Sequence, residues 1–457
     1  MRSEKAAGLP SCWACRLGWL LLAVSPTATA RAQAIESFLS PAIPGFDEQL
    51  GVTVLSRQRP LYDQPTVRLG SFIVNARVDE TVGYDSNVNG INKGPGTGFV
   101  QTSPSITATS DWSRNRLGAN LSIDNYSYFS LPNENYTNIN VGIGGGLTIG
   151  RHDLTVGYSH LEQHELGTTI GAVATTTPIP YSVDIIRSNY PVDAGRFTFT
   201  PNIDLERYSF GNATINGQTV NERFQNRNLV TGGLTTRYEL SQQRGLLLVI
   251  EESVSQFYSI PAGTPSPNSN TTLALVGLDY QATGPWRYRL LVGGEYRQYQ
   301  SALFGSHAAP VLQADVIWTP TGLTSLTGTV RREIEDPESE LTAGYTYTTV
   351  ALTVDHELKR NVLLQGRTSY QAADYLNNAG GAQSYTAGGG VSWLLNRRLR
   401  LSLDGDFTRQ NSTNGATVFS TSNLANLSSF SPTQQLATEI SGSYSRYVLM
   451  FGVHVGL

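Results

Sequence analysis

The sequence predicts an all-β fold: a single transmembrane, antiparallel, up-and-down β-barrel of about 18 strands, with 16 as the alternative count, preceded by a cleaved signal peptide. Three observations carry this. The chain opens on an export-type leader, apolar/polar alternation recurs in segment after segment, and the closing stretch YVLMFGVHVGL alternates to its final residue. In that stretch Tyr447, Leu449, Phe451, Val453, Val455 and Leu457 share one face, and Val448, Met450, Gly452, His454 and Gly456 share the other. A period of two marks a strand between two different environments. A closed barrel is the only sheet that satisfies all its backbone groups in lipid, so a strand at the very end of the chain is expected to have a neighbour on each side.

Residues 1–34 read as the signal. Arg2, Lys5 and Arg16 make a basic start, residues 17–24 (LGWLLLAV) are an apolar core too short to span a bilayer as a helix, and Ala32-Gln33-Ala34 is a small-residue cleavage site. Ala28-Thr29-Ala30 is a second such site. Mature protein is thus expected to begin at Ile35. Cys12 and Cys15, spaced as C-x-x-C, lie inside the leader and ahead of its apolar core, so they leave with it, and disulfides and thiol chemistry are excluded from the mature chain. The chain carries 32 Lys and Arg against 36 Asp and Glu, and losing Arg2, Lys5, Arg16 and Arg31 but only Glu4 deepens the acidic excess. No basic patch argues for nucleic acid. No later apolar run approaches the ~18 residues of a membrane helix, which is what a barrel gives when only every second residue faces lipid.

Residues 35–66 form a lead-in, expected in the periplasm, with Pro41, Pro44, Pro60 and Pro65 and little alternation. Residues 67–457 form the barrel. Its alternating segments are 70–85, 100–112, 115–129, 135–149, 153–163, 182–192, 195–210, 222–240, 245–259, 269–283, 286–300, 306–319, 323–335, 338–357, 361–376, 381–396, 398–412 and 440–457. Each reaches the ~9–11 residues that a tilted strand needs to cross. Connections alternate in length: short at 113–114, 150–152, 241–244, 284–285, 321–322, 359–360 and 397, long and polar at 86–99, 164–181, 211–221, 260–268 and 413–433. Short turns belong on the periplasmic side and long loops outside. The two faces separate cleanly: Leu399, Leu401, Leu403 and Phe407 oppose Arg398, Arg400, Ser402, Asp404 and Asp406, and Trp286, Tyr288, Leu290, Val292 and Tyr296 oppose Arg287, Arg289, Glu295 and Arg297. Tyr84, Trp112, Tyr208, Trp286, Trp318 and Trp393, near strand ends, are expected in the interfacial aromatic girdles.

A more specific signal lies in 57–87. Arg57, Arg59, Pro60, Tyr62 and Asp63 form an R-x-R-P-x-Y-D lead-in; Arg68, Gly70, Ser71 and Phe72 an R-x-G-S-F strand start; Tyr84, Asp85, Ser86 and Asn87 a Y-D-S-N strand end. This segment resembles the β-barrel porin-2 family of proteobacterial outer-membrane proteins, strongly here and generically over the rest. The resemblance implies an outer-membrane channel in contact with lipid, delivered by the barrel-assembly machinery, with no catalytic residues and no cofactor. Because family members often sit among exopolysaccharide genes, it also implies passage of polymer and contact with polysaccharide export components. Leu457 departs from the Phe or Trp that usually ends such barrels.

Other constellations have bland readings. His160, Glu162 and His164 lie at i, i+2 and i+4 of one strand end, where two histidines could bind a metal with a third ligand from elsewhere; an outer-rim cluster with no metal is the simpler reading. Asp85 to Gly90 opens like a calcium loop but has Gly96 where the bidentate Glu belongs, so it reads as an outer turn. Gly142, Gly144, Gly145 and Gly146 lack the strand–helix context of a phosphate loop, and glycine in a barrel strand makes room for a large neighbour. His356 and His454 show no nucleophile at recognisable spacing. What remains are rows of lumen-face charges: Arg77, Arg116, Arg287, Arg289, Glu295, Arg297, Arg331, Glu333, Glu335, Arg367, Arg398, Arg400, Asp404 and Asp406. Two readings of them stay open. They line a water-filled bore that selects polar solutes, or they are ion pairs between strands that stiffen a wide barrel. The first makes the protein a passive channel, and the second suits a plugged accessory barrel of an export system. An outer-membrane enzyme is the third and remotest alternative.

Overall fold

In the computed structural model, the structure describes residues 43–44, 46, 50–170, 175, 177–215, 218–260, 265–281, 284–336, 344–376, 380–413 and 443–457. The signal, the early lead-in and most of the 413–433 loop lie outside these residues. Eighteen long strands alternate up and down: β1 Phe72–Asp85, β2 Thr97–Ser110, β3 Arg116–Tyr128, β4 Tyr136–Ile149, β5 His152–Glu165, β6 Ile179–Asn189, β7 Phe197–Phe210, β8 Arg227–Ser241, β9 Arg244–Phe257, β10 Ser269–Tyr280, β11 Trp286–Tyr299, β12 Ser306–Thr321, β13 Thr324–Glu335, β14 Tyr345–Lys359, β15 Val362–Tyr375, β16 Gly381–Leu394, β17 Leu399–Thr413 and β18 Tyr444–Gly456. Each alternating segment of the sequence overlaps one of them; 338–343 and 440–442, included in two of those segments, lie outside the described residues.

Every strand is antiparallel to its chain neighbours, and β18 closes the ring. It pairs with β17 from Leu399↔Val455 to Gln410↔Tyr444 and with β1 from Arg77↔Gly456 to Asp85↔Val448. Two short pieces complete ladders at the short-turn end. Val67–Leu69 pairs with the foot of β1 below the end of β18, and Val192–Ala194 pairs with the foot of β7 below the end of β6.

Burial follows the alternation. On β18 Tyr447, Leu449 and Phe451 are exposed while Met450 is buried, and on β9 Leu246, Leu248 and Ile250 are exposed while Leu247 and Val249 are buried. The exposed rows are the lipid face. Trp286 stacks on Trp318 with ring centroids 5.0 Å apart, and Trp112 meets Phe72 edge-on at 5.5 Å. Both pairs lie at the short-turn end, as an aromatic girdle requires. Tyr208 corrects the girdle assignment: it lies on the lumen face of β7 with Asp204 and Glu206, and the Arg227 guanidinium sits 4.1 Å from its ring centre. Strand-end position alone did not reveal this, because parity decides the face.

Part of the lumen face of β9–β12 is apolar where a polar lining was expected. Leu247, Val249, Leu273, Leu275, Leu291 and Val311 form one buried cluster there, beside charged residues of the same face such as Glu251, Asp279, Arg289 and Glu295.

Candidate functional site in the barrel lumen

The lead-in enters the barrel rather than standing clear of it. At its first described residues, Pro44 and Ile43 lie against Gly118 of β3 and Gly142 and Gly146 of β4. A side chain at Gly118 would run into the Pro44 carbonyl, so that glycine makes room for the lead-in, whereas one at Gly142 would first meet Asn120 of β3. Phe46 lies 5.8 Å from the Arg116 guanidinium. Gly51 lies against the Arg287 side chain of β11. The Val54 amide donates to Ser325 Oγ of β13 at 2.9 Å. Arg57 and Arg59 both pair with Glu357 at the end of β14. The Arg397 guanidinium donates to the Asp63 carbonyl at 3.1 Å, and the Gln64 amide donates to the Ala76 carbonyl of β1. The described residues between 43 and 64 therefore form a strap at the short-turn mouth, tied to β1, β3, β4, β11, β13, β14 and the turn before β17.

A second intrusion comes from the other end. The β12–β13 ladder stops at Leu312↔Arg332, although β13 keeps pairing with β14 up to Glu335↔Tyr345. Beyond Leu312, β12 pairs only with β11, through residues that include Pro310, which has no N–H for a ladder. The top of β13 bends inward across the lumen face of β11. Its Ile334 amide donates to Glu295 Oε2 at 3.0 Å, and Arg297 donates to the Ile334 carbonyl at 2.8 Å. Ile334 shares the outward parity of Leu326 and Val330, yet it is 4% exposed, because it lies inside the wall. The bend brings Asp336 to Arg227 of β8 at 2.7 Å, to Arg297 of β11 at 2.8 Å and to the Ser255 hydroxyl of β9 at 3.3 Å. Burial alone would raise the Asp336 carboxyl, but the two guanidinium groups outweigh it and hold the group below its ordinary range.

Between strap and bend lies a chamber of about 720 Å³, lined by Ile43, Phe46 and Leu50 at one end and Glu333 to Asp336 at the other. Six arginines face it, and each has a carboxylate partner: Arg116 with Asp153, Arg187 with Asp204 and Glu206, Arg227 with Asp336, Arg237 and Arg289 with Asp279, and Arg297 with Glu295 and Asp336. Among the described residues, nine carboxyl groups line the chamber against these six cations, so the arginines do not make it a positive bore.

A smaller cavity of about 340 Å³ opens at the strap end, lined by Arg59, Asp63, Arg77, Asp79, Arg398, Arg400 and His454 among others. There His454 Nδ1 bonds Asp79 Oδ1 at 2.8 Å and Nε2 bonds Ser402 Oγ at 3.0 Å. The order matches a charge relay, which the sequence spacing could not show. Gly452 permits it, since a side chain there would collide with Ser402 and His454. Ser402 sits in mid-ladder between Ser392 and Gly452, where backbone N–H groups are engaged in strand pairing rather than gathered at an oxyanion position.

The sequence-expected lumen residues thus divide among three places. Arg116, Arg289, Glu295, Arg297, Glu333 and Glu335 line the chamber. Arg77, Arg398 and Arg400 line the smaller cavity, Arg398 from the turn just ahead of β17. Arg287 lies against the strap, Arg331 pairs with Asp315 at 3.8 Å, Arg367 pairs with Asp406, and Asp404 is 5% exposed in the wall of β17. Arg227, Asp336, Arg187 and Asp279 were not singled out. A proline in mid-strand at 310 and an Asp-Pro at 336–337 were the available signals. The rim histidines part company: His160 takes Asp184 at 2.8 Å, while His164 bonds Asn138 at 3.0 Å.

At the outer mouth, Asn89 in the β1–β2 loop donates to Glu134 Oε1 in the β3–β4 loop at 2.8 Å. Burial raises the Glu134 carboxyl to about 7, the Asn89 bond only partly opposing it. A raised carboxyl binds its proton more tightly in the folded loop than in the unfolded one. The folded loop arrangement is therefore more stable at pH 5 and loses that stability as pH rises towards 7, because the buried carboxylate must ionise there; the Asn89 bond, which favours the ionised form, offsets only part of the loss. Hydrogen exchange of 86–99 is expected to quicken over that interval beyond the intrinsic amide rate, and Glu134→Gln to remove the pH dependence. An unchanged dependence in Glu134→Gln contradicts the assignment.

A closed 18-strand barrel with lipid-facing apolar rows and a charged, partly filled lumen defines a porin-like outer-membrane barrel. The chain belongs to the family described as "Putative beta-barrel porin 2", whose model matches residues 59–426. Comparison with curated proteins gives no match. Among solved structures it is similar to OccK2 (OpdF) of Pseudomonas aeruginosa, with 9% identity, a TM-score of 0.44, and 84% of this chain and 98% of that chain covered. It is also similar to the FrpB iron transporter of Neisseria meningitidis (F3-3 variant), with 11% identity, a TM-score of 0.42, and coverage of 74% and 62%. A third is the ferric-catecholate import receptor Fiu of E. coli K12, at 8% identity, a TM-score of 0.40 and coverage of 83% and 81%. The chain spans 62% of the length of the FrpB structure.

Proposed function

We propose that this barrel is a passive outer-membrane channel for polar, hydroxyl-rich solutes, with polysaccharide fragments as the expected class, narrowed from both mouths. The chamber carries this reading. Its 720 Å³ gives room for a short saccharide, and its lining of arginines, each paired with a carboxylate and acidic in balance, offers hydrogen bonds to hydroxyl groups. The strap lies at the end where periplasmic export components would dock. Reversal potentials under a salt gradient test the passage. Arg289 faces the chamber and Arg400 the smaller cavity, so Arg289→Glu combined with Arg400→Glu is expected to shift selectivity towards cations with folding retained. Unchanged selectivity in a conducting, folded variant places the ion path away from both arginines.

A further inference from the structure

We propose that the chamber wall carries a receptor site for a solute carboxylate, formed by Arg227, Arg297 and Ser255, and that Asp336 fills it as a tethered stand-in. The inference rests on the channel reading and adds to it a binding site and a ligand class.

The three wall groups come from β8, β11 and β9, and each is at least nine-tenths buried. Arg227 is held by more than its ion pair, since its guanidinium stacks 4.1 Å from the Tyr208 ring centre and 5.7 Å from that of Phe257. Arg297 is held by Glu295 at 3.1 Å. The donors are thus fixed on the wall whether or not Asp336 is present. Arg297 and the Ser255 hydroxyl hydrogen-bond the carboxylate and Arg227 adds an ion pair at 2.7 Å, so three groups converge on one anion.

The group that fills the site belongs to a segment attached differently. Past Arg332 the top of β13 has no ladder with β12; on that flank its Ile334 backbone is held by the side chains of Glu295 and Arg297. Glu333, Glu335 and Asp336 lie together on this segment. If it swings outward, three carboxyl groups leave the chamber at once, and Arg227 and Arg297 remain against Glu295. The local charge then turns from acidic to basic. A carboxylate-bearing solute therefore competes with Asp336 for the same donors and stabilises the swung-out segment. A neutral solute of the same size gains nothing there. Binding and opening are then one linked equilibrium.

Calorimetric titration of folded, detergent-solubilised protein with glutarate and with its neutral diamide tests this without relying on current. Asp336→Asn, close in shape but a weaker competitor, is expected to bind glutarate at least tenfold more tightly than the unaltered protein, and the diamide not at all. Adding Arg297→Gln to Asp336→Asn is expected to abolish binding. Ser255→Ala in the Asp336→Asn background is a milder second variant, expected to weaken binding severalfold while keeping the fold. Heat-modifiable mobility checks folding in each case. Equal glutarate affinity with and without Asp336→Asn, no binding in either, or equal displacement by chloride overturns the proposal. Glutarate binding in a protein that passes no current sinks the channel reading and leaves the site standing; current without glutarate binding does the reverse.

Discussion

Glu357→Ala is expected to release the strap from the short-turn mouth and raise the single-channel conductance. Glu357 is the shared acceptor of Arg57 and Arg59, and it is 8% exposed at the end of β14. Its removal leaves two cations facing each other without a counter-charge. A hydrogen bond to a charged group contributes roughly 1.5–3 kcal/mol. Arg57 is 31% exposed, so its share is discounted for screening. A total of about 2 kcal/mol still shifts strap occupancy by more than tenfold. The remaining ties, Arg57 to the Gly322 carbonyl, Val54 to Ser325, Arg397 to Asp63 and Gln64 to Ala76, keep the strap tethered, so the open state is expected as flickering rather than permanent. Tryptic cleavage after Arg57 should quicken in parallel, whereas Arg59 is shielded by the Pro60 that follows it. Glu357→Gln, which keeps one acceptor oxygen, is expected to lie in between. Unaltered conductance and cleavage in Glu357→Ala would show that the strap is held elsewhere.

Phe451→Arg is expected to block barrel insertion, whereas His454→Gln is expected to leave it intact. Phe451 stands in mid-strand on the lipid face of β18, the strand that closes the ring, between Val82 of β1 and Leu403 of β17. A cationic side chain near the bilayer midplane costs about 2–4 kcal/mol, and the lost phenyl burial adds to it. His454 is three residues further on, on the lumen face, and a glutamine there can still meet Asp79 and Ser402. Heat-modifiable mobility of membrane fractions separates the two outcomes. Equal assembly of both variants would mean that the faces of β18 are exchanged.

The barrel was legible because its physics is local. A two-residue period needs no knowledge of the partner strand, so the eighteen segments, the alternation of short and long connections and the two faces of β18 could all be read in order. The contents of the lumen were not local. Val54 reaches Ser325 across 271 residues and Arg57 reaches Glu357 across 300, and the lead-in has no period to announce them. Most of the arginine rows were visible, with Glu295 and Asp406 among their partners, but Asp153, Asp279 and the Arg227–Asp336 pair were not, because such pairs join residues far apart in the chain. Tyr208 shows the remaining gap: strand-end aromatics belong to girdles only where their parity points outward. Pro310 was the one local mark of the open seam above Leu312, and it carried that meaning only once the β12–β13 ladder was seen to stop short of it.

The central claim is that this ring encloses a polar passage narrowed at both ends. Single-channel recording of folded protein in a planar bilayer, with polyethylene glycols of graded size added to either side, tests it most directly. The expected result is small, discrete current steps in the unaltered protein, blocked only by the smallest polymers from both sides. Glu357→Ala should admit larger polymers from the short-turn side alone. Complete absence of current in both proteins, each shown to be folded, would contradict the claim and make the barrel a sealed scaffold.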